Sequence, residues 1–123
     1  MKIRNLLVLL GIVALLLTVV LGCASTPKVQ PIGNATGNAT GTAMGFGGNL
    51  TVTITMDSGF ITDVVIDARN ETQAISGVAV TRATTFIKEN NSAQFDAISG
   101  ATITSTAIRQ AAQAAIDSIV AGN

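Results

Sequence analysis

The chain of 123 residues has no histidine, tryptophan or tyrosine, and Cys23 is its single cysteine. A zinc site of cysteines and histidines, a cysteine–histidine pair, a Ser-His-Asp triad and a disulfide within one chain are therefore excluded. Aromatic residues are scarce, with four phenylalanines at Phe46, Phe60, Phe86 and Phe95, whose usual role is core packing. Charge is also scarce: after Cys23 there are five Lys or Arg against seven Asp or Glu, a net of −2. No basic patch stands out, so nucleic acid finds no support as a partner. What chemistry remains must come from carboxylates, hydroxyls, backbone amides or a borrowed cofactor, which would then do the hard chemistry.

Apolar residues are plentiful at the N-terminus. Lys2 and Arg4 precede a run from Leu6 to Leu21 that ends at Gly22-Cys23. A spanning helix needs about twenty apolar residues, and a signal-peptide core is shorter. Val20-Leu21-Gly22-Cys23 resembles the bacterial lipobox, in which the signal is cut before the cysteine and the thiol is acylated. This resemblance implies a signal peptide over 1–22, a lipid anchor on Cys23 and a mature chain on the extracytoplasmic face of a bacterial cell membrane. An uncleaved anchor would place the remainder on the same side.

From Ala24 to about Thr40 the composition turns to Pro, Gly, Asn, Ala and Thr, with Gly33-Asn34-Ala35-Thr36 repeated as Gly37-Asn38-Ala39-Thr40. Such a stretch offers little apolar surface to offset ordering entropy, and 23–40 reads as an acylated cysteine and flexible tether. A single domain over 41–122 follows. Residues 41–48 can hold a short strand and a glycine turn. Leu50, Val52, Ile54 and Met56 alternate with Thr51, Thr53 and Thr55, the period of a half-buried strand. Asp57-Ser58-Gly59 makes a tight hairpin turn, and residues 60–66 return. Phe60, Val64 and Ile66 are expected on one face with Thr62, and Ile61 and Val65 on the other with Asp63.

Two helices complete the pattern. Ile75, Ala79, Ala83, Phe86 and Ile87 predict an amphipathic helix over about 74–88. Residues 93–98 predict a short strand or extended arm anchored by Phe95 and Ile98. Ile108, Ala112, Ala115, Ile116, Ile119 and Val120 mark the inner face of a last helix, with Gly122 as its stop. The fold class is α+β: a small antiparallel sheet built on a hairpin, with two packed helices, preceded by a signal helix and a linker.

The chain's chemistry converges on Asp96-Ala97-Ile98-Ser99-Gly100-Ala101-Thr102-Ile103-Thr104-Ser105. A glycine and a dense run of hydroxyls open the last helix. Its first turn presents amides without helical partners, and with the positive dipole end they suit an anion such as phosphate. The same residue types also make ordinary helix caps. Asp-x-x-Ser-Gly-Ala-Thr-x-Thr-Ser resembles the signature of the FMN-binding domain family, which includes the flavin-carrying subunits of the sodium-pumping NADH:quinone reductase and of the Rnf electron-transport complex. The glycine-rich opening around Phe46 and Gly47-Gly48, and the hairpin after it, are similar to that family too.

The resemblance implies FMN held covalently, through a phosphoester on Thr102. A separate flavin transferase would attach it from FAD with Mg²⁺, releasing AMP. Ser99, Gly100 and Ala101 would shape the loop that the transferase enters, Thr104 and Ser105 would complete the site, and Asp96 would orient or be recognised. The domain would then be a redox carrier, more than a stand-alone enzyme, between electron donor and acceptor proteins at the membrane. Glu71, just before the first helix, fits a family position, and its expected role is to favour the helix dipole. Two alternatives stay open: a domain holding a flavin or other phosphorylated ligand without a covalent bond, and a flavin-free envelope lipoprotein.

Overall fold

In the computed structural model the described residues are 28–123, together with Ile3, Asn5, Val8 and Gly11, which are helical. The other residues of the expected signal segment, and Cys23, lie outside them. Among the described residues no helix is long and apolar enough to cross a membrane.

Three strands, β1 (Gly37–Met44), β2 (Asn49–Asp57) and β3 (Phe60–Asp67), form an antiparallel sheet in the order β1-β2-β3. Two helices, α1 (Gln73–Asn90) and α2 (Thr102–Ala121), complete the expected α+β fold. The alternation in β2 is followed to the letter: Leu50, Val52, Ile54 and Met56 are buried, and Thr51, Thr53 and Thr55 are half-buried on the opposite face. The core lies between the inner face of the sheet and the helices, with Ile87 from α1 and Ile108, Ile116 and Ile119 from α2.

The tether is shorter than its composition suggests, because β1 begins at Gly37 and pairs with β2 from Gly37↔Met56 to Met44↔Asn49. Low apolar content there marks close packing. A Cβ on Gly41 would collide with the Ala111 carbonyl of α2, so this strand uses small residues to let the helix approach. The segment before it is also fixed: Ala35 is buried, and Ile32 N–H donates to Gly59 O at 2.7 Å. Asn91, the left-handed residue that ends α1 (φ 51°), holds this strap. Its Oδ1 accepts Ile61 N–H at 2.7 Å, and its Nδ2 donates to Gln30 O and Gly59 O, each at 2.9 Å.

The hairpin turn forms as expected, with Ser58 (φ 52°) and Gly59 (φ 85°) both in the left-handed region that a type I′ turn requires. The faces of β3 do not follow simple alternation. A bulge at Thr55/Met56 pairs Met56 with Ile61 but Thr55 with Asp63. One extra residue shifts the phase of a strand, so Ile61 and Val64 both point inward while Phe60 and Val65 are exposed.

Residues 93–98 form the irregular arm, without strand pairing. Phe95 and Ile98 are buried as expected, Phe95 lies against Phe86 with ring centroids 6.0 Å apart, and its carbonyl accepts Arg109 Nη1 at 3.0 Å. Of the inner positions expected on α2, Val120 is exposed and the others are buried. The strap and the C-terminus meet at one pole, where Thr36 N–H approaches Asn123 Oδ1 at 3.5 Å. The β1–β2 connection and the start of α2 lie at the opposite pole.

Candidate functional site

At that second pole, a cleft of about 440 Å³ is lined by Phe46, Glu71, Thr72, Ile75, Gly100, Ala101, Thr102, Ile103 and Thr104. Its size falls in the usual range for small-molecule sites, roughly 300–1,000 Å³. Three segments distant in sequence build it: the glycine-rich loop after β1, the start of α1 and the start of α2.

The loop before α2 is shaped by Gly100, whose φ of 80° lies in the left-handed region and whose absent Cβ would meet nothing within 4 Å. Glycine is needed there for the backbone turn rather than for room. Ala101 N–H donates to Ile98 O at 2.9 Å, and Ser105 N–H donates to Ala101 O at 2.8 Å as the first bond of the helix ladder. The amides of Thr102, Ile103 and Thr104 stand ahead of that ladder, as the opening amides of any α-helix do. Ala101 occupies the N-cap position and no side chain caps the helix. The hydroxyls of the motif are therefore not spent as N-caps.

Their fates differ. Ser105 is buried; its Oγ donates to Ala101 O at 2.6 Å and accepts Ile98 N–H at 3.1 Å, which clasps the loop to the helix. Thr104 is buried and donates to Glu71 Oε2. Thr102 is exposed and lines the cleft. Ser99 and Asp96 are exposed, and neither is among the lining residues. The structure thus brings Gly100, Ala101, Thr102 and Thr104 together at the cleft, and leaves Asp96, Ser99 and Ser105 outside it.

Glu71 was expected to act on the α1 dipole, and the structure gives it a different place. It is buried between the glycine-rich loop and α2, accepting Gly47 N–H at Oε1 at 2.8 Å and the Thr104 hydroxyl at Oε2. Burial pushes its carboxyl up, and donors from Thr104, Gly47 and Phe46 outweigh that, so the group sits below the usual glutamate range. Its charge is met by donors on both oxygens.

Around the mouth stand exposed apolar groups: Phe46, Ile75 and Ile103. The sequence pattern assigned Ile75 to the inner face of α1. At about 100° per residue, the buried face formed by Ser76, Ala79, Ala83 and Ile87 is centred about 85° around the helix from Ile75, which is left beside the cleft. The apolar rim suits a flat ring system, and the exposed Thr102 hydroxyl with the amides ahead of it suits a phosphate. The residues present fit FMN on both counts.

Fold and cleft together define a small α+β domain with an apolar-rimmed cleft at a helix start. The chain belongs to the FMN-binding domain family, whose sequence model matches residues 45–117. It is also similar to the NADH:acrylate oxidoreductase of Vibrio harveyi, with 34% identity over 79 residues that cover 64% of this chain and 8% of that protein. The chain thus spans less than a tenth of the length of that curated relative.

Proposed function

We propose that this protein is a membrane-anchored electron carrier whose FMN is joined through a phosphoester to Thr102 by a flavin transferase. Cys23, acylated, holds it on the extracytoplasmic face of a bacterial membrane, where donor and acceptor proteins reach it. The observation that carries the reading is the division of labour among the hydroxyls. Thr104 and Ser105 are buried and committed to Glu71 and to the loop, whereas Thr102 is exposed at the cleft. Membership of the FMN-binding domain family and the oxidoreductase name of the Vibrio harveyi relative support the redox role.

Bound FMN supplies reversible electron uptake and release. The chain's own residues do the rest. In the attachment step Thr102 Oγ1 bonds to the phosphorus of the FMN half of FAD, the bond to AMP breaks, and the hydroxyl proton leaves to a base of the transferase. The chain has no histidine to serve as that base. The phosphodiester anion that results lies by the opening amides of α2, which favour it. Phe46, Ile75 and Ile103 would offer the ring an apolar seat.

The test is the intact mass of the full chain, produced in an exporting cell beside an active flavin transferase, with Thr102→Ala as control. A gain of one FMN less one water, absent from the control, is expected. An unmodified mass in both would overturn the covalent reading; yellow protein whose flavin leaves on denaturation would then indicate non-covalent binding, and colourless protein a flavin-free role.

A further inference from the structure

The buried carboxylate beside the cleft has no part in the attachment step as written. Glu71 lies at the junction of all three segments that build the site. Its own backbone leads into α1, its Oε1 holds Gly47 of the loop that carries Phe46, and its Oε2 holds Thr104 in the first turn of α2. Thr104 is two residues from Thr102, within the same helical turn. We propose that Glu71 is a positioning residue for the modification of Thr102, locking the first turn of α2 to the Phe46 loop so that Oγ1 faces an incoming phosphoryl donor. This inference rests on the reading of Thr102 as the attachment point.

Geometry favours this role over a purely cohesive one. The apolar core is a continuous cluster from the sheet and both helices, and Glu71 lies at its cleft end. Burying a carboxylate to join a loop to the first turn of a helix is a costly way to add cohesion, since an apolar residue of similar volume often serves as well or better. A carboxylate has a different merit: two acceptor oxygens at fixed separation, which set the distance between an amide of one segment and a hydroxyl of another. Thr102 itself is exposed and has no comparable constraint on its own side chain. For transfer to a bound donor, displacement by about 1 Å can cost on the order of 100-fold in rate.

The experiment follows FMN incorporation by intact mass, using the unmodified full chain in detergent, purified flavin transferase, FAD and Mg²⁺. Glu71→Ala and Thr104→Val each remove the link, the second without changing side-chain shape. Glu71→Gln retains the acceptor for Gly47 N–H and lets Thr104 accept in place of donating. Ile116→Val, at a buried site farther along α2, serves as a destabilised control whose melting temperature is lowered without touching the cleft.

Well below all the melting temperatures, Glu71→Ala and Thr104→Val are expected to lower the transferase kcat about 10- to 100-fold with KM changed less than about threefold. Glu71→Gln is expected to recover most of the rate, and Ile116→Val to match the unsubstituted chain. Incorporation by Glu71→Ala and Thr104→Val at the unsubstituted rate would overturn the positioning role and leave the attachment reading intact. Rates that follow melting temperature across all four variants would overturn it equally, in favour of mere stability. No incorporation in the unsubstituted chain, with the transferase active on another acceptor, would overturn both.

Discussion

Removing one buried oxygen from the motif tests the division of labour among its hydroxyls. In Ser105→Ala the Ile98 N–H loses its acceptor at 3.1 Å, and Ala101 O loses a donor at 2.6 Å while keeping Ser105 N–H at 2.8 Å. Ser105 is 1% exposed, so water does not readily replace what is lost. An unsatisfied buried donor costs about 1–3 kcal/mol. Alanine's better helix propensity returns roughly 0.5 kcal/mol, leaving a net loss of about 1.5 kcal/mol. For a domain of this size each kcal/mol moves the melting temperature by roughly 4–8 °C, so the drop should be on the order of 10 °C. Thr102→Ala, at an exposed position, should stay within about 0.5 kcal/mol of the unsubstituted chain. Thermal unfolding followed by circular dichroism on flavin-free protein measures both. Equal melting temperatures for Ser105→Ala and Thr102→Ala would refute the assignment of one hydroxyl to structure and the other to chemistry.

Acid should release the Glu71 link. Its folded pKa lies below the ordinary value of 4.5, so its contribution is complete above about that pH and is lost as pH falls through the lower folded value. Chemical denaturation between pH 6 and 3 should find the unsubstituted chain losing stability more steeply than Glu71→Gln; parallel curves would count against a charged, donor-held Glu71. Asn91→Ala should cost roughly 2–4 kcal/mol by urea unfolding, combining a buried Ile61 N–H left without a partner and alanine held at positive φ; a loss below about 1 kcal/mol would mean that the strap is not held there. Phe46→Ala should change stability by no more than about 0.5 kcal/mol, since Phe46 is 73% exposed. In the flavin-loaded protein the same change should alter the visible absorption bands and raise solvent quenching of flavin fluorescence, and an unchanged spectrum would remove Phe46 from the ring's surroundings.

Much of this fold could be read from periodicity. β2 and α2 carry unbroken patterns because each buries one continuous face, and a face imposes its period on the residues that form it. Where local geometry breaks the period, the reading fails. The bulge opposite Thr55 and Met56 interchanges the expected faces of Phe60 and Ile61, and nothing in the residue types there announces an extra residue. The first half of β1, residues 37–40, was hidden for another reason: glycine, alanine and threonine look like a linker, but here smallness is what the neighbouring helix demands.

The candidate site divides in the same way. Its contiguous part, from Ser99 to Ser105, is a motif and is visible as one; the resemblance singled out Thr102, although residue types alone do not tell that Thr104 and Ser105 turn to the interior. Glu71 could be singled out as an acid before a helix. Its partners, Gly47 and Thr104, lie 24 and 33 residues away, and only the closure of the fold brings them together. Ile75 and Ile103 carry no chemical signature, and their place at the mouth follows from helix rotation alone.

The two poles of the molecule have a mechanical consequence. The chain enters the fold beside the hairpin turn, with Asn91 as the fastening, and Thr102 stands at the far end of a 20-residue helix, about 30 Å away at 1.5 Å per residue. Whatever restrains the chain before Lys28 therefore grips it at the end opposite the cleft. Tension from that side would be borne first by the strap and the β2–β3 turn, leaving the cleft end undisturbed. Under the proposed anchoring at Cys23, a domain fastened in this way would act as an arm with Thr102 at its tip, presenting the cleft to its proposed partners without rearranging it.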